Sequence, residues 1–235
     1  MKAIILAAGR GSRLYPITLN KPKGLLNVGP DEETILDRLI RQLKAVGVSD
    51  ILMVVGYQKE SLMNHFGTSI RYRIYENFAK TNNLHTLWSV KDELDDDVII
   101  TFADLVLHQD IFDGLMKSEA NIAMTVDTSQ VLDGTMRVLA CDNRVKNITT
   151  TTPEEANGNF IGIAKFKKDG CKLLVNEMSK IIDDHYDDYY TLAVDKLARK
   201  GVTVGCFDAL NSIWREIDTK DEYDELKQNY GLFDQ

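Results

Sequence analysis

A chain of 235 residues with 44% hydrophobic residues and only 4 Pro has the composition of a folded globular protein, which excludes disordered, collagenous and disulfide-scaffold classes. At this length roughly 70 to 75% of the unfolded surface can be buried, so no staple is needed. With 28 Lys plus Arg against 36 Asp plus Glu the net charge is −8, and no basic run exceeds a residue or two, so no nucleic-acid partner is expected. Cys141, Cys171 and Cys206 are odd in number, far apart and outside any metal spacing, so a reduced cytoplasmic location is expected. The apolar run in MKAIILAAGRG is too short for a signal peptide, and none approaches the ~20 residues of a membrane span.

In chain order, the continuous apolar run Ala3 to Ala8 predicts a strand covered on both faces, stopped by Gly9. Helical spacing of Ile35, Leu36, Leu39, Ile40, Leu43 and Val46, ended by Gly47, leads into a second apolar strand, Ile51 to Val55. The alternation continues with a helix at Ser61 to Phe66, a strand at Ile70 to Tyr75, a helix at Asn83 to Leu94 and a strand at Val98 to Phe102. Such alternation predicts a mainly parallel sheet with a ligand crevice at the carboxyl ends of its strands. Beyond it the pattern becomes β-rich and partly antiparallel, with strands at Ile122 to Val126, Met136 to Cys141, Val145 to Thr149 and Phe160 to Phe166. Helices at Cys171 to Ile182 and Leu192 to Lys200, a strand at Val202 to Phe207, and a capping box of Thr219 with Glu222 opening a last helix complete the chain. No linker divides the chain, and no repeat is seen.

The segment from Gly9 to Glu33 far exceeds the ~2 to 6 residues of an ordinary βα connection, and loops that long are functional or disordered. Gly9 and Gly11 permit close backbone approach to an anion, with Arg13, Lys21 and Lys23 as cations. This is a candidate triphosphate cradle, but neither a P-loop nor a dinucleotide fingerprint, since no Gly-Lys-Ser/Thr occurs and Leu14 holds the place of the third glycine. Asp104 follows a predicted strand, so its carboxylate is expected at the crevice.

The string LAAGRGSRLYPITLNKPKGLL resembles the signature of the nucleotidyltransferases that make NDP-sugars and CDP-alcohols. The stretches YENFAKTNNLHTLWSV and NSIWREIDTKDEYDEL are similar to the base-binding and C-terminal metal-binding segments of the bacterial phosphocholine cytidylyltransferase branch. The resemblance implies that Leu6, Ala8, Gly9, Gly11 and Ser12 hold nucleotide, and that Arg13 and Lys23 are the catalytic cations on the phosphates. It places Asn82 and Asn83 beside the base, with Thr86 assisting, and makes Asp104 and Asp218, with Glu216, the ligands of Mg²⁺. Read as residues alone, Asn82 or Asn83 is equally a helix N-cap, and Asp218 a favourable charge beside the Thr219 cap.

The implied fold is α/β, a Rossmann-like mixed, mainly parallel sheet of nucleotide-diphospho-sugar transferase type with helices on both faces and a β-rich acceptor lid. It would form one domain over 1–235, with a nucleotide-binding half at 1–110 and an acceptor-binding half at 111–235. The implied reaction is Mg²⁺-dependent transfer from CTP to a small phosphorylated acceptor with release of pyrophosphate, and without a membrane partner. Arg137 would suit an acceptor carboxylate, and Asp127 or Asp133 an amine, which puts L-glutamine phosphate ahead of phosphocholine. An aromatic cage for a quaternary ammonium would draw on Tyr186, Tyr189 and Tyr190, although DDHYDDYY also reads as a solvated acidic helix end. Sugar-1-phosphate or aminoethylphosphonate nucleotidyl transfer and a non-catalytic nucleotide-sensing subunit are the alternatives, and a homo-oligomer is compatible with the sequence.

Overall fold

The computed structural model describes residues 1–132, 135–149, 156–210 and 212–234. Asp133, considered above for an acceptor amine, lies outside them.

The first half is the alternating unit that the apolar runs predict. Strand β1 (Lys2–Ala7) pairs in parallel with β2 (Asp50–Val55) on one side and β4 (Val98–Phe102) on the other, and β3 (Arg71–Ile74) extends the sheet beyond β2. Ile4 and Leu6 of β1 pack on one face and Ala3 and Ile5 on the other, in two separate core clusters. Both faces of the strand are therefore buried, which explains why its sequence is continuously apolar rather than alternating. Helix α1 (Ile35–Ala45) opens with a reciprocal capping box between Thr34 and Asp37, and α2 (Lys59–Phe66) leads into β3.

The predicted helix from Asn83 to Leu94 is shorter: α3 covers Asn83–Trp88, and a separate 3-10 turn covers Lys91–Glu93. Ser89 explains the break, because its hydroxyl donates to the Thr86 carbonyl at 2.7 Å and so competes with the helix's own ladder.

The β-rich second half continues the same sheet. Strand β5 (Leu105–Leu107) follows β4, then α4 (Gln109–Met116), β6 (Ile122–Asp127), β7 (Met136–Cys141), β8 (Arg144–Thr149) and β9 (Gly158–Phe166). Strand β9 inserts antiparallel between β4 and β6, so the sheet is parallel in its first half and largely antiparallel beyond. After α5 (Lys168–Met178) and α6 (Thr191–Arg199) comes β10 (Gly205–Asp208), giving the order β3-β2-β1-β4-β9-β6-β10-β8-β7. The strand expected from Val202 starts later because Val202 is used to end α6. Gly201, at φ 87°, and Val202 donate to the carbonyls of Ala198 and Leu197, a Schellman closure.

A second, two-stranded sheet pairs β5 with β11 (Trp214–Glu216), and α7 (Lys220–Asn229) follows with the predicted Thr219–Glu222 capping box. The C-terminal segment is fastened to α1 by Arg38, which is almost wholly buried. Its guanidinium donates to Tyr230 Oη at 2.7 Å and to the carbonyls of Phe233 at 2.5 Å and Leu107 at 3.2 Å, while Tyr230 donates to Glu33. No helix among the described residues is long and apolar enough to cross a membrane.

Replacing Arg38 with Met removes the guanidinium donor from the Phe233 carbonyl and the Tyr230 hydroxyl, while Gln42 Nε2 still donates to the Leu107 carbonyl at 2.8 Å, and we expect a loss of about 3 kcal/mol in urea unfolding. Glu93 supplies a pH dependence. Its hydrogen bonds to Arg71, at 2.7 and 3.0 Å, and to Lys2 hold its carboxyl down to about 2 against the opposing effect of burial. A carboxyl depressed in the folded state stabilises it above the unfolded pKa and loses that contribution as pH falls from about 4.5 to about 2. Glu93→Gln should therefore be less stable than the parent by about 1 kcal/mol at pH 6, with the difference narrowing in melts taken toward pH 3.

Candidate active site

A cavity of about 310 Å³ opens at the carboxyl ends of β1 and β4, where a sheet of this kind binds its ligands. The loop after β1 is ordered by its own bonds. Thr18 Oγ1 donates to the Gly11 carbonyl at 2.8 Å, and the Tyr57 hydroxyl donates to that of Leu19 at 2.9 Å. Gly11 has φ 60°, and a Cβ there would press on Lys23 Cβ at 3.2 Å. Gly24 allows the second turn of the loop to lie against α1, since a Cβ would fall 2.4 Å from Leu36 Cδ1. These two glycines let the Gly9–Arg13 turn and the Lys23 turn share one wall of the cavity.

Lys23 reaches across to two carboxylates, Asp104 Oδ2 at 2.7 Å and Asp218 Oδ1 at 2.6 Å, and Arg13 meets Asp218 Oδ2 at 2.7 Å. The Arg13 side chain is 65% exposed and that of Lys23 only 12%, so the lysine is the inner cation and the arginine the outer one. Burial alone would lower the Lys23 ammonium, but Asp104 and Asp218 outweigh it and push the group up to about 12. Glu216 is pushed up to about 8 by burial, with Asp104 and Asp218 adding like charge. At neutral pH Glu216 is thus largely protonated beside the charged Lys23.

The carboxylates meet because β11 pairs with β5 directly after Asp104. Glu216 stands opposite Leu105, Ile217 N donates to the Asp104 carbonyl at 3.0 Å, and Asp218 follows on the same side as Glu216. Glu222 then accepts from Asp218 N at 2.8 Å and Thr219 N at 2.7 Å, tying the α7 cap to the carboxylate-bearing residue. One oxygen each from Asp104, Glu216 and Asp218 lies within 4.8 Å of the others, and Asp104 Oδ1 is buried without a hydrogen-bond partner. A hard, oxygen-preferring divalent cation suits this donor set, because it would satisfy the orphaned oxygen and offset the like charge that Asp104 and Asp218 add to the burial of Glu216.

Leu6, Ala8, Gly9, Gly11, Ser12, Asn82, Asn83 and Thr86 all line the same cavity as Arg13, Lys23, Asp104, Glu216 and Asp218, and Tyr189 joins them. Lys21 is not among the lining residues; its ammonium donates to Asn27 Oδ1 at 2.6 Å. Four residues expected on the acceptor side stand elsewhere, one of them Tyr186, which is exposed and stacks on His85. Asp127 is buried and its oxygens are occupied by Trp214 Nε1 and Ser129 N, at 2.9 and 2.8 Å, so it braces the small sheet against β6. Tyr190 is buried in the core among the rings of Phe102, Phe160 and Phe166, and desolvation raises its hydroxyl pKa far above the usual range. Arg137 sits on β7 opposite Asn159 and is not among the lining residues.

The sequence reading missed Arg10, Phe78 and Thr81, which also line the cavity. Arg10 lies over the Phe78 ring, 5.8 Å from its centroid. Position inside the two motif strings was the available signal for all three.

Residues 2–135 match the nucleotidyl transferase family. Over 137 residues the chain is 36% identical to the CTP:phosphoglutamine cytidylyltransferase of Campylobacter jejuni, covering 55% of this chain and 53% of that protein. Over 115 residues it is 40% identical to the choline-phosphate cytidylyltransferase of Streptococcus pneumoniae, covering 48% of each. The matches thus span about half the length of these two relatives. The solved structure of the CTP:phosphocholine cytidylyltransferase from Streptococcus pneumoniae superposes with a TM-score of 0.80 at 25% identity, covering 97% of this chain and 98% of that one. The glycine loop, the Lys23 bridge and the β1–β4 crevice therefore sit on a nucleotide-diphospho-sugar transferase fold, and the chain belongs to the nucleotidyl transferase family.

Proposed function

We propose that this protein is a Mg²⁺-dependent cytidylyltransferase that joins CTP to a small phosphorylated zwitterion, releasing pyrophosphate. The observation that carries the reading is the Lys23 bridge between Asp104 and Asp218, with Arg13 on the same aspartate, at the rim of a cavity walled by the glycine loop. A phosphate oxygen of the acceptor attacks the α-phosphorus of CTP, forming a new P–O–P bridge as the bond from the α-phosphorus to the leaving oxygen breaks, and pyrophosphate departs with that electron pair. No protein nucleophile is needed, since positioning and charge neutralisation account for most phosphoryl-transfer catalysis.

In this scheme the backbone from Gly9 to Ser12 cradles the phosphates, Arg13 and Lys23 offset charge on the transferring group, and Asn82, Asn83 and Thr86 wall the base. Asp104, Asp218 and Glu216 would hold Mg²⁺, whose chemistry is to withdraw charge from phosphate oxygens. Tyr189 faces the acceptor. L-glutamine phosphate is kept ahead of phosphocholine on the position of Tyr190, which leaves the expected tyrosine cage unassembled, while similarity to the phosphoglutamine and choline-phosphate enzymes is compatible with either acceptor. The place of Arg137 outside the cavity lends that order no support. Cytoplasmic location and capsule or cell-surface polysaccharide modification fit this reading and belong to it.

The test is pyrophosphate release from CTP, with and without Mg²⁺, against L-glutamine phosphate, phosphocholine, aminoethylphosphonate and glucose 1-phosphate. Metal-dependent release with CTP and one zwitterionic acceptor is expected. Release only from UTP or dTTP with glucose 1-phosphate would instead establish a sugar-1-phosphate transferase, and CTP binding without release from any pair would favour a nucleotide sensor. Lys23→Ala should lower turnover by on the order of 10² to 10³ while circular dichroism remains native, and near-normal turnover would remove the lysine from the mechanism.

A further inference from the structure

The segment between α5 and α6, Asp183-Asp184-His185-Tyr186-Asp187-Asp188-Tyr189-Tyr190, carries four aspartates in eight residues. Left to itself such a run repels internally and is solvated. Here it is held on the first turn of α3. Asn82 N donates to the Tyr186 carbonyl at 2.8 Å, Asn82 Nδ2 to that of Asp187 at 3.1 Å, and Leu84 N to that of Asp188 at 3.2 Å. Tyr190 N in turn donates to Asn83 Oδ1 at 2.9 Å. Asn82 Oδ1 meanwhile accepts from Asn83 N at 2.8 Å, which closes the cap. His85, one turn on, stacks on Tyr186 with ring centroids 5.0 Å apart and planes 13° from parallel. Three successive carbonyls and the amide two residues beyond are therefore captured by donors and one acceptor on a single turn, which leaves unsatisfied N–H groups of a helix start paired.

Tyr189 is the residue between the last captured carbonyl and the captured amide, and it shares the cavity with Asn82, Asn83, Thr86, Glu216 and Asp218. We propose that Asn82 and Asn83 form a clasp that positions Tyr189, so that the wall assigned to the base sets the geometry of the acceptor wall. The inference rests on the cytidylyltransferase reading for what the cavity binds, and on the hydrogen bonds alone for the clasp. Asn83 is on this account a positioning residue through its oxygen, which holds Tyr190 N. A residue reading cytosine through its amide N–H groups would depend on its nitrogen, so the two roles separate by substitution.

Asn83→Ala removes both atoms, whereas Asn83→Asp keeps an acceptor for Tyr190 N and places a negative charge at a helix start, where it is tolerated. Amide hydrogen exchange of the free protein is measured first. We expect exchange over residues 186–190 to accelerate at least about tenfold in Asn83→Ala, the loss of roughly one hydrogen bond, and to stay near the parent rate in Asn83→Asp. Steady-state kinetics with CTP and L-glutamine phosphate follow. Asn83→Ala should raise the acceptor KM about tenfold whatever it does to the CTP KM, and Asn83→Asp should restore the acceptor KM toward the parent value. Unaltered exchange in Asn83→Ala, or a KM increase confined to CTP and shared by Asn83→Asp, would overturn the clasp. If the parent turns over neither L-glutamine phosphate nor phosphocholine, the functional reading fails, and the exchange experiment still decides whether Asn83 holds the segment.

Discussion

The arrangement depends on one ammonium group placed between two carboxylates. Lys23 and Asp218 are 195 positions apart in the chain, yet their charged atoms stand 2.6 Å apart, with Asp104 at 2.7 Å on the other side. In a setting where the lysine side chain is only 12% exposed, an unpaired charge of either sign would be costly, so each of these groups requires the others. The acids keep the lysine charged against its burial, whereas burial is the main cause that pushes the third acid, Glu216, up, with the like charge of Asp104 and Asp218 adding to it.

That constraint explains a second sheet of only two short strands. Asp104 is placed by the end of β4, which any parallel sheet would provide. Asp218 and Glu216 come from the C-terminal region and need an independent means of reaching the same spot. The β5–β11 ladder provides it, and its two ends are secured differently. At one end Trp214 donates to the buried Asp127 carboxylate, and at the other the α7 capping box takes hold of the Asp218 amide. Arg38 then fixes the residues after α7 to α1 and, through the Leu107 carbonyl, to the end of β5 itself. A buried arginine that is not among the residues lining the cavity thus acts on the strand that directly follows Asp104.

What the sequence disclosed follows the range of the forces involved. Strands β1, β2 and β4, helix α1 and the Thr219–Glu222 cap were legible because they are written in local periodicity and side-chain chemistry. Strands β5 and β11 were not read as a pair, since three residues carry no usable period and a long-range pairing leaves no local mark. Adjacent residues also diverge. Tyr189 lines the cavity while Tyr190, at the start of α6, fills the core, a division that depends on the phase of a helix whose first residue the sequence does not announce. Asp127 looked like a surface charge available to a ligand; only the buried indole of Trp214, brought from the far end of the chain, reveals its structural use.

The cavity is also asymmetric in how its two sides are built. The Lys23 side is made of glycine turns, a bridging lysine and paired carboxylates, all held by charge and by backbone geometry that other residues would disturb. On the Tyr189 side the acidic segment is held by uncharged donors and acceptors on α3 and by the stacking of His85 on Tyr186. Neutral hydrogen bonds each contribute only about 1 kcal/mol, whereas the buried ion cluster cannot lose a member without exposing an uncompensated charge. The two sides therefore differ in how much change they tolerate. The Lys23 side can be altered little without leaving a buried charge uncompensated, while each bond holding the segment around Tyr189 can be lost at smaller cost. On the proposed reading, in which the acceptor meets Tyr189 and the phosphates meet Lys23, such a scaffold could change its acceptor at the one side while the other stays fixed.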